Sequence, residues 1–195
     1  MEEGSSGLNQ RIADRVRELR SARELSLDVL ASKSGVSRSM ISLIERGESS
    51  PTAVVLDKLA RGLGVVLASL FDAPTASPSP LARHADQPCW RDPASGYVRR
   101  NVSPASTRQP MRIVEVCFPP GARVAFDNAG HDAAFYQQVW LLEGAMVITV
   151  GADTHNLRVG DCLAMQLDHP TVFHNPTRKP ARYAVVIASE GATRR

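Results

Sequence analysis

Between Leu25 and Gly47 the chain reads LSLDVLASKSGVSRSMISLIERG. Four residues of this stretch, Arg38, Ser39, Ser42 and Arg46, fall on one arc of a helical wheel turning about 100° per residue. Guanidinium and small hydroxyl groups on an open helix face can donate to the edges of base pairs and to phosphate oxygens. A guanidinium meets guanine at two acceptors at once, which makes Arg38 the leading base reader. Ser39 and Ser42 are small enough for base or phosphate contacts, and Arg46 suits either role.

The opposite arc, Ser37, Met40, Ile41 and Ile44, needs something to pack on, and the preceding residues supply it. Ser26 is suited to cap a short helix, Asp28 complements the dipole in its first turn, and Leu27, Leu30 and Ala31 form its apolar stripe. Ala31 is small where a second helix crosses closely. Gly35 can take the positive φ of a sharp turn, Val36 plugs that turn into the core, and Ser37 caps the next helix. This is the spacing of a helix-turn-helix, and DNA binding is the function it points to.

The flanks extend the pattern. Leu8 to Arg23 reads as an amphipathic helix carrying Ile12, Val16 and Leu19, after a polar tail, Met1 to Gly7, expected to be disordered. SPTAVVLDKLARGLGV predicts a helix from near Pro51 to Gly64, and Val65 to Phe71 a fifth short one. Taken together, Leu8 to Phe71, with IERGESSPT and LDKLARGLGV, resembles the five-helix DNA-binding domain of the lambda and 434 repressor group, the Xre family. The resemblance implies that Ser37 to Arg46 is the recognition helix, with Ser37, Arg38 and Ser39 near base edges. It also implies that the Ser49 to Thr52 loop, with Ser50 and Thr52, approaches phosphate, and that Arg20 pairs with Glu45 to lock the first helix onto the third.

Net charge adds little to this. The sequence pI is near 9.0 and the formal charge +3, yet residues 1–72 hold ten Lys and Arg against ten Asp and Glu. The excess lies entirely in the remainder, so only local clustering can favour a polyanion.

At 195 residues the chain has room for two small domains, and composition divides it. APTASPSP, from Ala73 to Pro80, is too rich in Pro, Ser and Ala to pack, which predicts domains at 8–72 and 84–190 joined by a linker at 73–83. No apolar run approaches bilayer length and the N-terminus lacks a secretory pattern, so the expected location is the cytoplasm. Cys89, Cys117 and Cys162 are odd in number and far apart, as expected of reduced, partly buried thiols, with a redox switch left open.

From residue 84 onward short strand candidates follow at Gly96 to Val102, Met111 to Phe118, Gln137 to Leu142, Ala145 to Val150, His155 to Val159, Cys162 to Gln166, Thr171 to His174 and Arg182 to Ala188. Eight short strands without a long helix predict a closed or double-sheet all-β domain. PPGARV, VWLLEGAMVITVG, LRVGDCLAM and FHNPTRKPARYAVVIA resemble a small cupin, a jelly-roll barrel, over roughly Met111 to Ala188.

That resemblance implies where a metal would be held. The family's glutamate position, seven before Gly144, is Gln137; its histidine pair falls at His131 and Ala133; its last histidine, eleven after Gly160, falls at Thr171. One of four ligands remains, and no metal cofactor is expected, although His169 and His174 leave a rearranged site with His131 open. His131, Gln137 and Thr171 would instead line a small-molecule pocket. In WRDPASGYVRRNVSP, Tyr97 and Arg99 share one strand face; turned inward they can hold an anionic group, turned outward they are solvated or at a subunit contact.

The expectation is therefore a non-enzymatic, sequence-specific DNA-binding transcription regulator with an all-α N-terminal domain and an all-β cupin domain. Its partners would be an operator in double-stranded DNA, a small-molecule effector and a second copy of itself, with no membrane. The alternative is a cupin enzyme, of dioxygenase or isomerase type, fused to a DNA-binding module.

Overall fold

The computed structural model describes residues 3–72, 79–104, 111–128 and 135–189, with side chains from residue 7. The chain divides into two compact units; among the described residues the first holds the four α-helices and the second every strand.

The helical unit runs α1 (Glu3–Ser21), α2 (Leu27–Ser34), α3 (Arg38–Glu45) and α4 (Ala53–Gly62), closed by a 3-10 turn, Leu67–Phe71. Its caps are those the residue types favour. Ser26 accepts from the Val29 N–H at 3.1 Å, Ser37 from the Met40 N–H at 3.2 Å, and Thr52 from the Val55 N–H at 3.4 Å. Gly35 ends α2 at φ 66° and returns its N–H to Ala31. Ile12, Ala13, Val16, Leu30, Ile41, Ile44, Leu56, Leu59 and Leu70 are sealed from solvent between these elements.

Four local expectations change. The first helix begins at Glu3, so most of the expected tail is helical; once a helix is nucleated, extension by a turn costs little. The expected fifth α-helix is a five-residue 3-10 turn, because Val66 at its start offers no capping side chain and the segment is too short for an α-helical ladder. Thr52, capping α4, starts that helix two residues after Pro51, and the helix stops at Gly62. Met40, placed on the apolar arc, stays 37% exposed.

The β-unit is two antiparallel sheets. One has six strands in the order β1 (Cys89–Arg91), β2 (Val98–Asn101), β3 (Met111–Phe118), β10 (Ala181–Ser189), β5 (Phe135–Glu143), β8 (Cys162–Gln166); the other has four, β4 (Arg123–Phe126), β9 (Thr171–His174), β6 (Ala145–Val150), β7 (Asp153–Arg158). Among the described residues no ladder joins the two, so the domain is a double sheet rather than a closed barrel. Alternation sends Val114, Val116 and Phe118 of β3, Val139 and Leu141 of β5, and Tyr183, Val185 and Ile187 of β10 inward, opposite Met146, Ile148 and Phe173. An aromatic chain crosses between the layers: Trp90, Tyr97, Phe118, Tyr183, Phe173 and Phe126 follow one another with ring centroids 5.6–6.2 Å apart.

The outer face of the six-stranded sheet is unlike an ordinary solvated face. Its rows run Met111, Ala188, Tyr136; then Ile113, Val186, Gln138, Ala164; then Arg100, Glu115, Ala184, Trp140, Cys162. Four of the eight exposed large apolar side chains among the described residues, Met111, Ile113, Tyr136 and Trp140, stand here. At one end Arg182 bridges Glu115 at 2.8 Å and Glu143 at 2.6 Å. The cysteines, expected to be partly buried, are all free and exposed. Burial and the neighbouring Glu115 carboxylate raise the Cys117 thiol above its ordinary value, keeping it protonated.

Candidate functional site

The reading face is built on α3. Ile41 and Ile44 drive one side of the helix into the core, so Arg38 and Ser39 stand in solvent and Ser42 is half-buried. Glu45, on the inner side, is 5% exposed and takes Arg20 in a bidentate pair, Nε to Oε1 at 2.7 Å and Nη2 to Oε2 at 2.9 Å. Arg20 Nη1 donates to the Leu25 carbonyl at 2.9 Å, and Arg17 Nη2 donates to the Glu45 carbonyl. One guanidinium thereby ties α1, the α1–α2 turn and α3 together, and its pairing with Glu45 raises its own pKa. The carboxylate lock is what lets α3 present an otherwise unencumbered outer face.

Leu27, Arg38, Ser39 and Ser42 line an open cleft of about 470 Å³ at the α2–α3 corner. Three of the expected DNA contacts therefore share one concavity, roofed by the first residue of α2. Arg38 Nε lies 3.3 Å from Asp28 Oδ1, both side chains well exposed. Arg46 is held far more completely: Nε donates to Glu48 Oε1 at 2.9 Å, Nη2 to Glu48 Oε2 at 2.7 Å, and Nη1 to Ser42 Oγ. The pair raises the Arg46 pKa and lowers the Glu48 carboxyl, in each case mainly by the hydrogen bonds between them. Ser50 Oγ accepts from Asn9 Nδ2 at 2.9 Å, and the Thr52 hydroxyl accepts the α4 cap bond.

Sequence reasoning missed Asp28 and Glu48 as partners of these arginines. Asp28 has a readable role in the helix dipole, which hides its reach across the turn. Arg46 is the residue where α3 ends, and Gly47 at φ 71° takes the chain off the helical wheel, so periodicity carries no information about Glu48.

In the β-unit Tyr97 and Arg99 are 2% and 6% exposed, on the inner side of the six-stranded sheet. Tyr97 stacks on Phe118 at 5.6 Å, and Arg99 acts electrostatically on Tyr183, whose phenol burial raises well above its ordinary value. Gln137 also points inward from β5, 8% exposed. Thr171 is 1% exposed; its hydroxyl accepts from Asn128 Nδ2 at 2.8 Å and donates to the His169 carbonyl at 3.1 Å. Asn175, fully buried, donates to the Phe118 and Lys179 carbonyls and accepts from Thr177, pinning the β9–β10 connection. His174 lies on the outward side of β9, and the exposed His169 pairs with Asp168 at 2.6 Å. His131 and Ala133 lie outside the described residues.

The family model described as helix-turn-helix matches residues 16–69. The capped corner, the inward-packed α3 and its exposed polar face define the class: the chain is a helix-turn-helix, DNA-binding transcription regulator with a double-sheet second unit. Among known proteins it is similar to the transcriptional regulator SutR of Escherichia coli K12, 27% identical over 82% of this chain and 84% of that one. It is also similar to the regulator PuuR of the same organism, 25% identical over 83% and 85%. A solved helix-turn-helix family transcriptional regulator from Vibrio cholerae superposes with a TM-score of 0.76 at 25% identity, covering 94% of this chain and 97% of that one. Among the described residues no helix is long and apolar enough to cross a membrane.

Proposed function

We propose that this regulator reads a near-palindromic operator as a cytoplasmic homodimer, and that its double-sheet unit takes a small organic effector whose binding alters operator affinity. Ser37, Arg38, Ser39, Ser42 and Arg46 would meet bases and nearby phosphates, with Ser50 and Thr52 beside the backbone. Tyr97, Arg99, Gln137 and Thr171, with His131, would line the effector's site, without metal and without catalysis.

Gln137 carries the effector reading. Its amide is a polar group on the inner face of β5, in a residue only 8% exposed, and can both donate and accept. A ligand with one donor and one acceptor would answer it inside an otherwise apolar and aromatic space. The tilt from glutamate to glutamine at this position also removes the charge a divalent metal would favour.

The experiment is a thermal-denaturation screen of the full chain against carboxylic acids, amino acids and amines, alongside mass spectrometry of anything retained through purification. Gln137→Leu is expected to leave the chain folded and to abolish the effector-induced shift. An effector response in Gln137→Leu equal to wild type would refute the reading.

A further inference from the structure

Arg38 and Arg46 both sit on the reading face, yet their surroundings differ in a way that assigns them different tasks. A guanidinium has five N–H donors. On Arg46 three are spent: Nε and one on Nη2 go to the two oxygens of Glu48, and one on Nη1 goes to Ser42 Oγ. The two that remain are one on each terminal nitrogen. Arg38 makes only the single 3.3 Å approach to Asp28 and keeps its freedom to turn.

We propose that Glu48 is a specificity-determining residue: by holding Arg46 along its Nε edge, it limits that arginine to an end-on approach and denies it to phosphates at other angles. The proposal rests on the DNA-reading role of α3. Two consequences follow from charge and geometry. The carboxylate neutralises Arg46 in place, so the arginine releases few counterions when it nears DNA. The two remaining N–H groups still serve base or phosphate acceptors placed at that end of the side chain, so a correct site loses less than a random one. The helical unit as a whole follows the same logic, since its ten cations are matched by ten carboxylates over residues 1–72.

The test uses the full chain and two DNA probes: a random-sequence duplex pool, sequenced after capture, and one fixed duplex of arbitrary sequence for affinity across a salt series. Capture of a sequence-enriched subset by the wild type establishes the reading role independently; if none is enriched, that role fails, and the proposal with it. Glu48→Gln is expected to raise affinity for the arbitrary duplex about 3–10-fold near 0.1 M salt, steepen its salt dependence by about one released ion, and flatten the enriched base preferences. The double variant Glu48→Gln with Arg46→Gln is expected to lose that gain. Because the pair is exposed, thermal stability should barely change. Unchanged affinity and base preference in Glu48→Gln would overturn the proposal. So would a gain that persists in the double variant, since it would then come from removing a negative charge near DNA and not from freeing Arg46.

Discussion

Arg20 and Glu45 lie twenty-five residues apart and meet with both guanidinium edges occupied, by the carboxylate and by the Leu25 carbonyl. Their side chains are 18% and 7% exposed, which separates them from the surface pairs that contribute little. Removing the cation alone would leave a buried carboxylate unanswered. Arg20→Met is therefore expected to destabilise the helical unit by about 3 kcal/mol or more, read as a fall in the urea midpoint. Arg20→Met with Glu45→Met should recover most of that loss; a single variant that melts like wild type would show the pair to be ornamental. This lock was legible in the sequence through the family resemblance. The Arg46–Glu48–Ser42 clasp was not, because it forms where the helix period ends.

At the scale of elements, glycine separates two kinds of turn. Gly35 closes α2 at φ 66° with nothing within 4 Å of where a Cβ would stand. Gly144, between β5 and β6, has φ 78°, and a Cβ there would meet the Pro180 carbonyl at 2.8 Å and the Ala181 Cα at 3.0 Å. Gly35→Ala should lose only left-handed strain, about 1 kcal/mol. Gly144→Ala adds a clash with backbone at the start of β10 and should lose about 3 kcal/mol. Chemical denaturation of both variants tests the contrast, and equal losses would contradict it. Elements with a strong period were readable: β3, β6, β8 and β9 run over the expected residues. Strands β1 and β4 were missed: β1 is three residues long, and β4 shows only one buried residue, Val124, among exposed or half-buried neighbours.

For the whole molecule the open question is what covers the outer face of the six-stranded sheet. Six strands about 4.8 Å apart and up to nine residues long present on the order of 600–700 Å² of projected surface, the same order as the roughly 800 Å² each partner gives to a stable interface. Two arginines and two glutamates, Arg100, Arg182, Glu115 and Glu143, balance one another there, so a second copy meets no net repulsion. A twofold assembly would also set two recognition helices about 34–36 Å apart, or a multiple of that, on a symmetric operator. Ile113→Glu with Trp140→Glu should convert a dimer to a monomer in light scattering and weaken operator binding while leaving the helical unit folded. A wild-type monomer, or a double variant that remains dimeric, would exclude this face.

By itself the sequence determined the features governed by neighbours along the chain: the Ser caps, the Gly35 turn, the two-residue alternation of the strands, and the break in composition after Phe71. These depend on backbone preference and on which face is apolar, both written within a few residues. Only the tertiary structure decided that Thr171 spends its hydroxyl on Asn128 and His169 while Gln137 is buried on the inner face of β5, and that six aromatic rings link two sheets. Those outcomes turn on distances between groups far apart in the chain, where a shift of an ångström makes or breaks a hydrogen bond and no local pattern constrains it.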